Sequence, residues 1–337
     1  MKWFYLILVI TILVISCDEQ EVEPLHSFDL MELPEGFPAI DAPEGNEFSQ
    51  KRWELGKKLF FDPVMSSDSS ISCGSCHAPS LAFSDKVALS LGVKDRLGTQ
   101  NAPTLVNLAY HPYYTRAGGV PTLEMQILVP IQEHNEFDFN ILLIVERLKN
   151  NPTYVQMATD AYNREPDAFT ITRSLAAFER SLISGYSRYD QFLNYNKKTL
   201  SNSEERGMEL FFDKKTNCST CHEGFNFTNY AFENNGLYEV YPDEGRFRLT
   251  QVESDRALFK VPTLRNVELT APYMHDGSIS TLEEVVEHYN MGGENHPHKS
   301  DLIQPLDLSK RERKDLVAFL KTLTDEGFVN NSLFRQD

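Results

Sequence analysis

The chain has 337 residues, 41% apolar and 24% charged, which is globular usage and long enough for two domains. Its 49 acidic residues outweigh 32 basic ones, for a formal charge of −17, which argues against nucleic acid and suits a basic protein partner. Gly and Pro, at 17 each, are too few for a collagen-like or low-complexity array.

The chain opens with Lys2 and an apolar run from Trp3 to Ile15, broken only by Thr11. A basic start and a run of this length predict a secretory signal over residues 1–16, and the run is short for a membrane span. Its end, Leu13-Val-Ile-Ser16-Cys17, resembles a bacterial lipoprotein signal, with cleavage before Cys17 and lipid on its sulfur. An uncleaved anchor helix is the alternative. Both readings put the bulk of the chain outside the cytoplasm. The first makes it a membrane-anchored lipoprotein on the periplasmic or cell-envelope side. Residues 17–45 begin acidic and continue Pro- and Gly-rich, which reads as a lipidated flexible tether.

An internal repeat organises the rest. Glu54-Leu-Gly-Lys-Lys-Leu-Phe-Phe-Asp62 matches Glu205-Arg-Gly-Met-Glu-Leu-Phe-Phe-Asp213. Ala102-Pro-Thr-Leu-Val-Asn107 matches Val261-Pro-Thr-Leu-Arg-Asn266, and Thr122-Leu-Glu124 matches Thr281-Leu-Glu283. The order is conserved between the copies and the offset stays at about 150 to 160 residues. That length means a duplicated domain rather than a solenoid. The boundaries read as 46–195 and 196–337.

The predicted elements are helical. Residues 171–183 carry Ile171, Leu175, Phe178 and Leu182 at helical spacing. Capping-box patterns open helices at Ser201, Thr281 and Ser309, and Gly292-Gly293 stops the second of these. No strong alternating strand pattern appears.

Each half holds one Cys-x-x-Cys-His motif: Cys73-Gly-Ser-Cys76-His77 and Cys218-Ser-Thr-Cys221-His222. This is the attachment pattern of c-type haem. Two cysteines on one helical turn reach the two vinyl groups of a porphyrin, and the adjacent imidazole points at the iron. A thiol redox pair or half a zinc site would explain one motif; two in a duplicated, exported chain point to two covalent haem c groups, with His77 and His222 as proximal ligands. The fold class expected is mainly α, with two tandem cytochrome c-like domains, each with one covalent c-type haem.

With Leu55-Gly56, Leu59-Phe-Phe-Asp62, Asn101-Ala-Pro-Thr104 and Pro272-Tyr-Met-His-Asp-Gly277 added, the chain resembles the bacterial di-haem cytochrome c peroxidase family, in its MauG-like branch. The likeness runs from about Leu33 to Thr324. It implies a peroxidatic haem in the first domain and an electron-transfer haem in the second. It implies Gln126 and Glu136 as the catalytic pair, Glu136 moving a proton between peroxide oxygens. His134 is a nearby rival. Many members cap the first iron with a histidine where this chain has Val93, so an open first haem is expected. The resemblance also implies Tyr289 as sixth ligand of the second iron, with Met274, His275, His288 and Met291 as rivals. It implies one calcium ion held by Asn101, Thr270 and Pro272, a donor set of hard oxygens. The chain departs from the family between the haems. Where members often have a tryptophan, it reads Tyr113-Tyr-Thr-Arg-Ala117.

Three functions follow. The first is a peroxidase that reduces hydrogen peroxide to water with electrons from a small reduced cytochrome c or similar basic donor. The second is a MauG-like oxidase of aromatic residues on a partner protein. The third is a non-enzymatic di-haem electron carrier, which needs a ligand such as His134 or His111 on the first iron. The expected partners include the membrane, through the lipid anchor, and exclude nucleic acid; a homodimer stays open.

Overall fold

The computed structural model describes residues 32–41 and 43–336. The signal and Cys17 lie outside the described residues, as does most of the tether. Among the described residues, no helix is long and apolar enough to cross a membrane.

The first half contains α1 (Gln50–Phe61), α2 (Cys73–Cys76), α3 (Leu123–Gln126), α4 (Leu128–Gln132), α5 (Ile141–Lys149), α6 (Pro152–Tyr162) and α7 (Ala168–Arg180). After α8 (Arg188–Asn194), the second repeats the plan with α9 (Asn202–Phe212), α10 (Cys218–Cys221), α11 (Phe247–Thr250), α12 (Leu282–Met291) and α13 (Lys310–Lys321), then ends in α14 (Glu326–Val329). The capping boxes expected at Ser201, Thr281 and Ser309 all form. Gly292 ends α12 in the left-handed region at φ 82°. The helix expected over 171–183 starts earlier, because Asp167 caps it, and stops at Arg180. Among the described residues, strand structure amounts to β1 (Phe232–Glu233) paired antiparallel with β2 (Phe259–Lys260).

Each half is built on one helix crossing. Gly56 of α1 lies on α7, where an added Cβ would sit 1.9 Å from the Ser174 carbonyl oxygen. Gly207 of α9 lies on α13 in the same way, 1.9 Å from that of Asp315. The repeated glycine is therefore a close-approach residue. Around each crossing grows an aromatic core. Phe60, Phe83 and Phe178 centre the first, and Phe211, Phe227 and Phe319 the second.

Packing crosses the expected boundary at residue 195. Tyr189 of α8 is in the second core, and Asp190 pairs with Arg265 at 2.8 Å. The chain thus crosses over near residues 184–187. The C-terminal segment crosses back: Phe328, Val329 and Phe334 pack into the first core. Part of the stretch read as tether is also anchored. Phe37 stacks edge-on against Tyr110 of the first half and Phe225 of the second, and Tyr110 Oη donates to the Pro38 carbonyl.

The repeated asparagines stitch this joint. Asn107 and Asn266 are both fully buried in the left-handed region at φ 59°, which asparagine tolerates better than most residues. Asn107 Nδ2 donates to Ser184 O and Asn226 Oδ1. Asn266 Nδ2 donates to Ser184 Oγ, while its Oδ1 accepts from Asp325 N.

Candidate haem sites

The two attachment motifs are single helical turns with matching surroundings. In each, the histidine closes the turn, its N–H donating to the first cysteine's carbonyl. His77 Nδ1 lies 2.9 Å from Phe83 O, and His222 Nδ1 lies 3.0 Å from Phe227 O. A carbonyl only accepts, so Nδ1 carries the hydrogen and Nε2 is the nitrogen with a lone pair for iron. Phe83 and Phe227 both have positive φ, which turns their carbonyls onto the rings. Burial pulls both imidazoles below their ordinary range, which favours the neutral, ligating form. Cys73, Cys76, Cys218 and Cys221 are free thiols. Paired free thiols and an oriented histidine fit two covalent haems.

The further faces differ. In the first half, Thr122 caps α3, which carries Gln126. Gln126 Oε1 is buried and accepts no hydrogen bond, an atom waiting for a donor. Glu136 follows α4 and is close enough to Cys73 and Cys76 for its charge to raise both thiols. Burial of its carboxyl, with Glu133 adding repulsion, pushes it up to about 7. The residue as a whole is nevertheless exposed to solvent. No hydrogen bond joins Gln126 to Glu136. Val93 is fully buried, and its N–H donates to Glu136 O at 2.9 Å. Gly92 lies so close to this segment that a Cβ would meet Asn135 O at 2.1 Å. His134, the rival, is largely exposed and bound to Arg96 and Asp138. His111 sits at the joint, where Lys260 Nζ donates to its Nδ1.

In the second half, Tyr289 of α12 packs into the core with Cys218, near enough to both thiols for their charges to act on its hydroxyl. Burial raises that hydroxyl while Asn235 opposes the rise. The rivals are placed otherwise. Met291 is 69% exposed. His288 Nε2 bonds Asn235 O at 3.0 Å. Met274 Sδ accepts from Asn235 Nδ2 at 3.2 Å. His275 stacks on Phe259 at 4.1 Å, its Nε2 buried without a partner. Asn235 was not singled out in the sequence.

At the joint, Asn101 N donates to His275 O, and Lys260 N donates to Arg116 O. The 159-residue offset relates these two contacts to each other. Asn101 Nδ2 donates to Val87 O, while its Oδ1 accepts from Arg116 Nη2 at 3.1 Å. Tyr113 lies at this joint, stacked on Phe232 with its hydroxyl on Tyr230 O. Tyr114 is inside the first half, bonded to Leu108 O.

Fold and sites together define a two-domain cytochrome of the c type. Residues 50–198 match the family model described as di-haem cytochrome c peroxidase, and residues 204–324 match that of cytochrome c. The methylamine utilization protein MauG of Methylorubrum extorquens is 36% identical over 86% of this chain and 82% of its own. The cytochrome c551 peroxidase of Nitrosomonas europaea is 35% identical over 81% of this chain and 80% of its own. A solved MauG-like protein associated with microbial copper homeostasis superposes with a TM-score of 0.86 at 33% identity, over 90% of this chain and 98% of that one. The chain belongs to the di-haem cytochrome c peroxidase family, and is an oxidoreductase of that type.

Proposed function

We propose that the protein reduces hydrogen peroxide to water at the first haem, with electrons that enter at the second from a small reduced cytochrome c or similar basic carrier. The observation that carries this is Glu136, a carboxyl pushed up to about 7 beside the first thiol pair. A group poised near neutral pH can take a proton from one peroxide oxygen and return it to the other. Gln126, with its buried unpaired oxygen, orients the bound peroxide. When bound, the haem supplies redox-active iron for O–O cleavage. His77 and His222 would hold the irons through Nε2, Cys73, Cys76, Cys218 and Cys221 would carry the porphyrins, and Tyr289 would be the further ligand of the second iron.

The test uses the fully oxidised holoprotein without signal and anchor, given one equivalent of hydrogen peroxide and no reductant. Rapid change in the optical and EPR spectra is expected, because Val93 cannot cap the first iron. No reaction before one haem is reduced overturns the open-haem reading and makes the protein a reductively activated peroxidase. A second reading, oxidation of aromatic residues on a partner protein, is favoured by Tyr289, since an anionic hard oxygen stabilises oxidised iron. A carrier-only function finds less support, because His134 is exposed and tied to Arg96 and Asp138.

The proposal includes calcium at Asn101 with the carbonyls of Thr270 and Pro272. The internal repeat supports it. The matching positions in the other copy are Lys260, His111 and Tyr113, where the Lys260 ammonium lies 3.0 Å from Tyr113 O and 3.1 Å from His111 Nδ1. One corner of the joint thus holds a tethered cation, and by the repeat the related corner would offer its oxygens to a free one. Asn101 Oδ1 keeps a second lone pair beside its bond from Arg116. Metal analysis of the holoprotein is expected to give one calcium per chain, and none overturns this part. The protein is placed on the periplasmic or cell-envelope side, held to the membrane by lipid on Cys17, which mass spectrometry of the membrane fraction tests. A homodimer is tested by sedimentation of the same holoprotein.

A further inference from the structure

The second half has a loop that the first lacks. Phe83 to Ala102 spans 19 positions, whereas the matching Phe227 to Val261 spans 34. Eight positions into the longer loop stands Asn235, which engages three of the side chains able to bind the second iron.

Its amide orientation is fixed by its neighbours. Oδ1 accepts from Leu237 N at 3.2 Å, and a backbone N–H is an unambiguous donor. Tyr241 Oη lies 3.2 Å from the same oxygen, its one hydrogen shared with Asn234 Oδ1 at 3.1 Å. Nδ2 therefore faces the other way. One of its hydrogens goes to Met274 Sδ at 3.2 Å, and a thioether only accepts. Nδ2 also faces the Tyr289 oxygen. The backbone carbonyl of Asn235 completes the set by accepting from His288 Nε2 at 3.0 Å. That nitrogen must carry a hydrogen, so it has no lone pair for a metal.

We propose that Asn235 selects the sixth ligand of the second haem iron, occupying Met274 and His288 while presenting Tyr289. It is a positioning residue. It holds the Met274 sulfur lone pair in a hydrogen bond, and it offers the phenol oxygen an N–H donor, which favours a ligating phenolate. Tyr241 and Leu237 keep the amide from turning over, since a flipped amide would present its oxygen to a sulfur and lose both bonds.

This inference rests on Tyr289 being the ligand, and the experiment separates the two. Resonance Raman, EPR and far-red absorption spectra are recorded on the ferric holoprotein, with its redox titration. Tyrosinate modes are expected in the wild type; the far-red charge-transfer band of a thioether-ligated ferric haem there overturns the Tyr289 reading itself. Asn235→Leu removes both donors. Its expected result is loss of the tyrosinate modes, gain of the thioether band and a higher potential for the second haem alone. Adding Met274→Leu then abolishes that band, which identifies the sulfur. Asn235→Asp keeps the size and the acceptor contacts with Leu237 and Tyr241 but loses the donors, so it reads the same effect should the leucine variant fail to mature. Unchanged tyrosinate modes and potential in both variants overturn the selection role and leave Tyr289 standing.

Discussion

The two halves share one frame for holding a haem and diverge on the face beyond it. The frame repeats in detail: a glycine crossing, an aromatic core, a histidine steered by a phenylalanine carbonyl and a left-handed asparagine at the joint. On the far side, the loop after each motif reaches over to a different partner. The short loop sets buried Val93 on the backbone of Glu136, and the long one sets Asn235 beside Tyr289 and Met274. The repeat keeps the attachment motif and its steering carbonyl in both copies, and the copies differ in loop length and in a few side chains. Proximal geometry has one good solution, whereas the distal face must either admit substrate or supply a ligand.

The largest effect should come from removing one proximal histidine at a time. His77→Gly is expected to abolish peroxide consumption altogether. His222→Gly should leave the reaction with one equivalent of peroxide and abolish turnover with a reduced donor. Stopped-flow spectra with and without donor distinguish them. Equal loss of the single-equivalent reaction in both variants would break the division of labour between the halves.

Next is Glu136→Gln, expected to slow the reaction with peroxide by about 10²–10⁴-fold. The pH profile sharpens the result. The carboxyl is pushed up to about 7 by burial, so it is protonated below that pH and a base above it. The rate should therefore rise with pH through about 7 in the wild type and lose that step in the variant. A retained step would assign the titration to another group.

The helices opened by Ser201, Thr281 and Ser309 were legible in the sequence because capping is local, and the two Cys-x-x-Cys-His turns because their spacing is fixed. The packing that crosses between the halves was not. Nothing local says that Tyr189 belongs to the second core or that Phe334 returns to the first. Those are long-range packing choices between two similar aromatic cores. Asn235 was illegible for a related reason. It lies in a loop without a counterpart in the repeat, and its meaning comes only from neighbours 39 and 53 positions away.

A third test uses a position where the copies differ inside the frame. Val106 and Arg265 occupy matching places, and both are buried. Arg265 pairs with Asp190 at 2.8 and 3.0 Å, with side chains 1% and 2% exposed. Arg265→Ala strands a buried carboxylate and should cost about 3–5 kcal/mol. Val106→Ala loses only apolar burial, about 1.5–3 kcal/mol. Denaturant titration measures both. Adding Asp190→Asn to the arginine variant should recover part of its loss, since the stranded charge is gone. No recovery would mean that the guanidinium matters through its bonds to Phe225 O and its stacking on Phe37 rather than through the pair.

The smallest effect asks whether the shared frame is energetically shared. In Gly56→Ala and Gly207→Ala the new Cβ meets a helix carbonyl oxygen at the same 1.9 Å. Backbone cannot yield as a flexible side chain does, so the helices must separate, at about 1–3 kcal/mol in each case. Gly98→Ala is the control: its nearest neighbour would be 3.4 Å away and its φ is not positive, so a change within about 0.5 kcal/mol is expected. Thermal unfolding of the three holoproteins reads the difference. Equal losses at the two crossings mean that the copies kept one packing solution with one tolerance. A much smaller loss at Gly207 would show that the second crossing can open, and that the haem-holding frames are alike in geometry but not in rigidity.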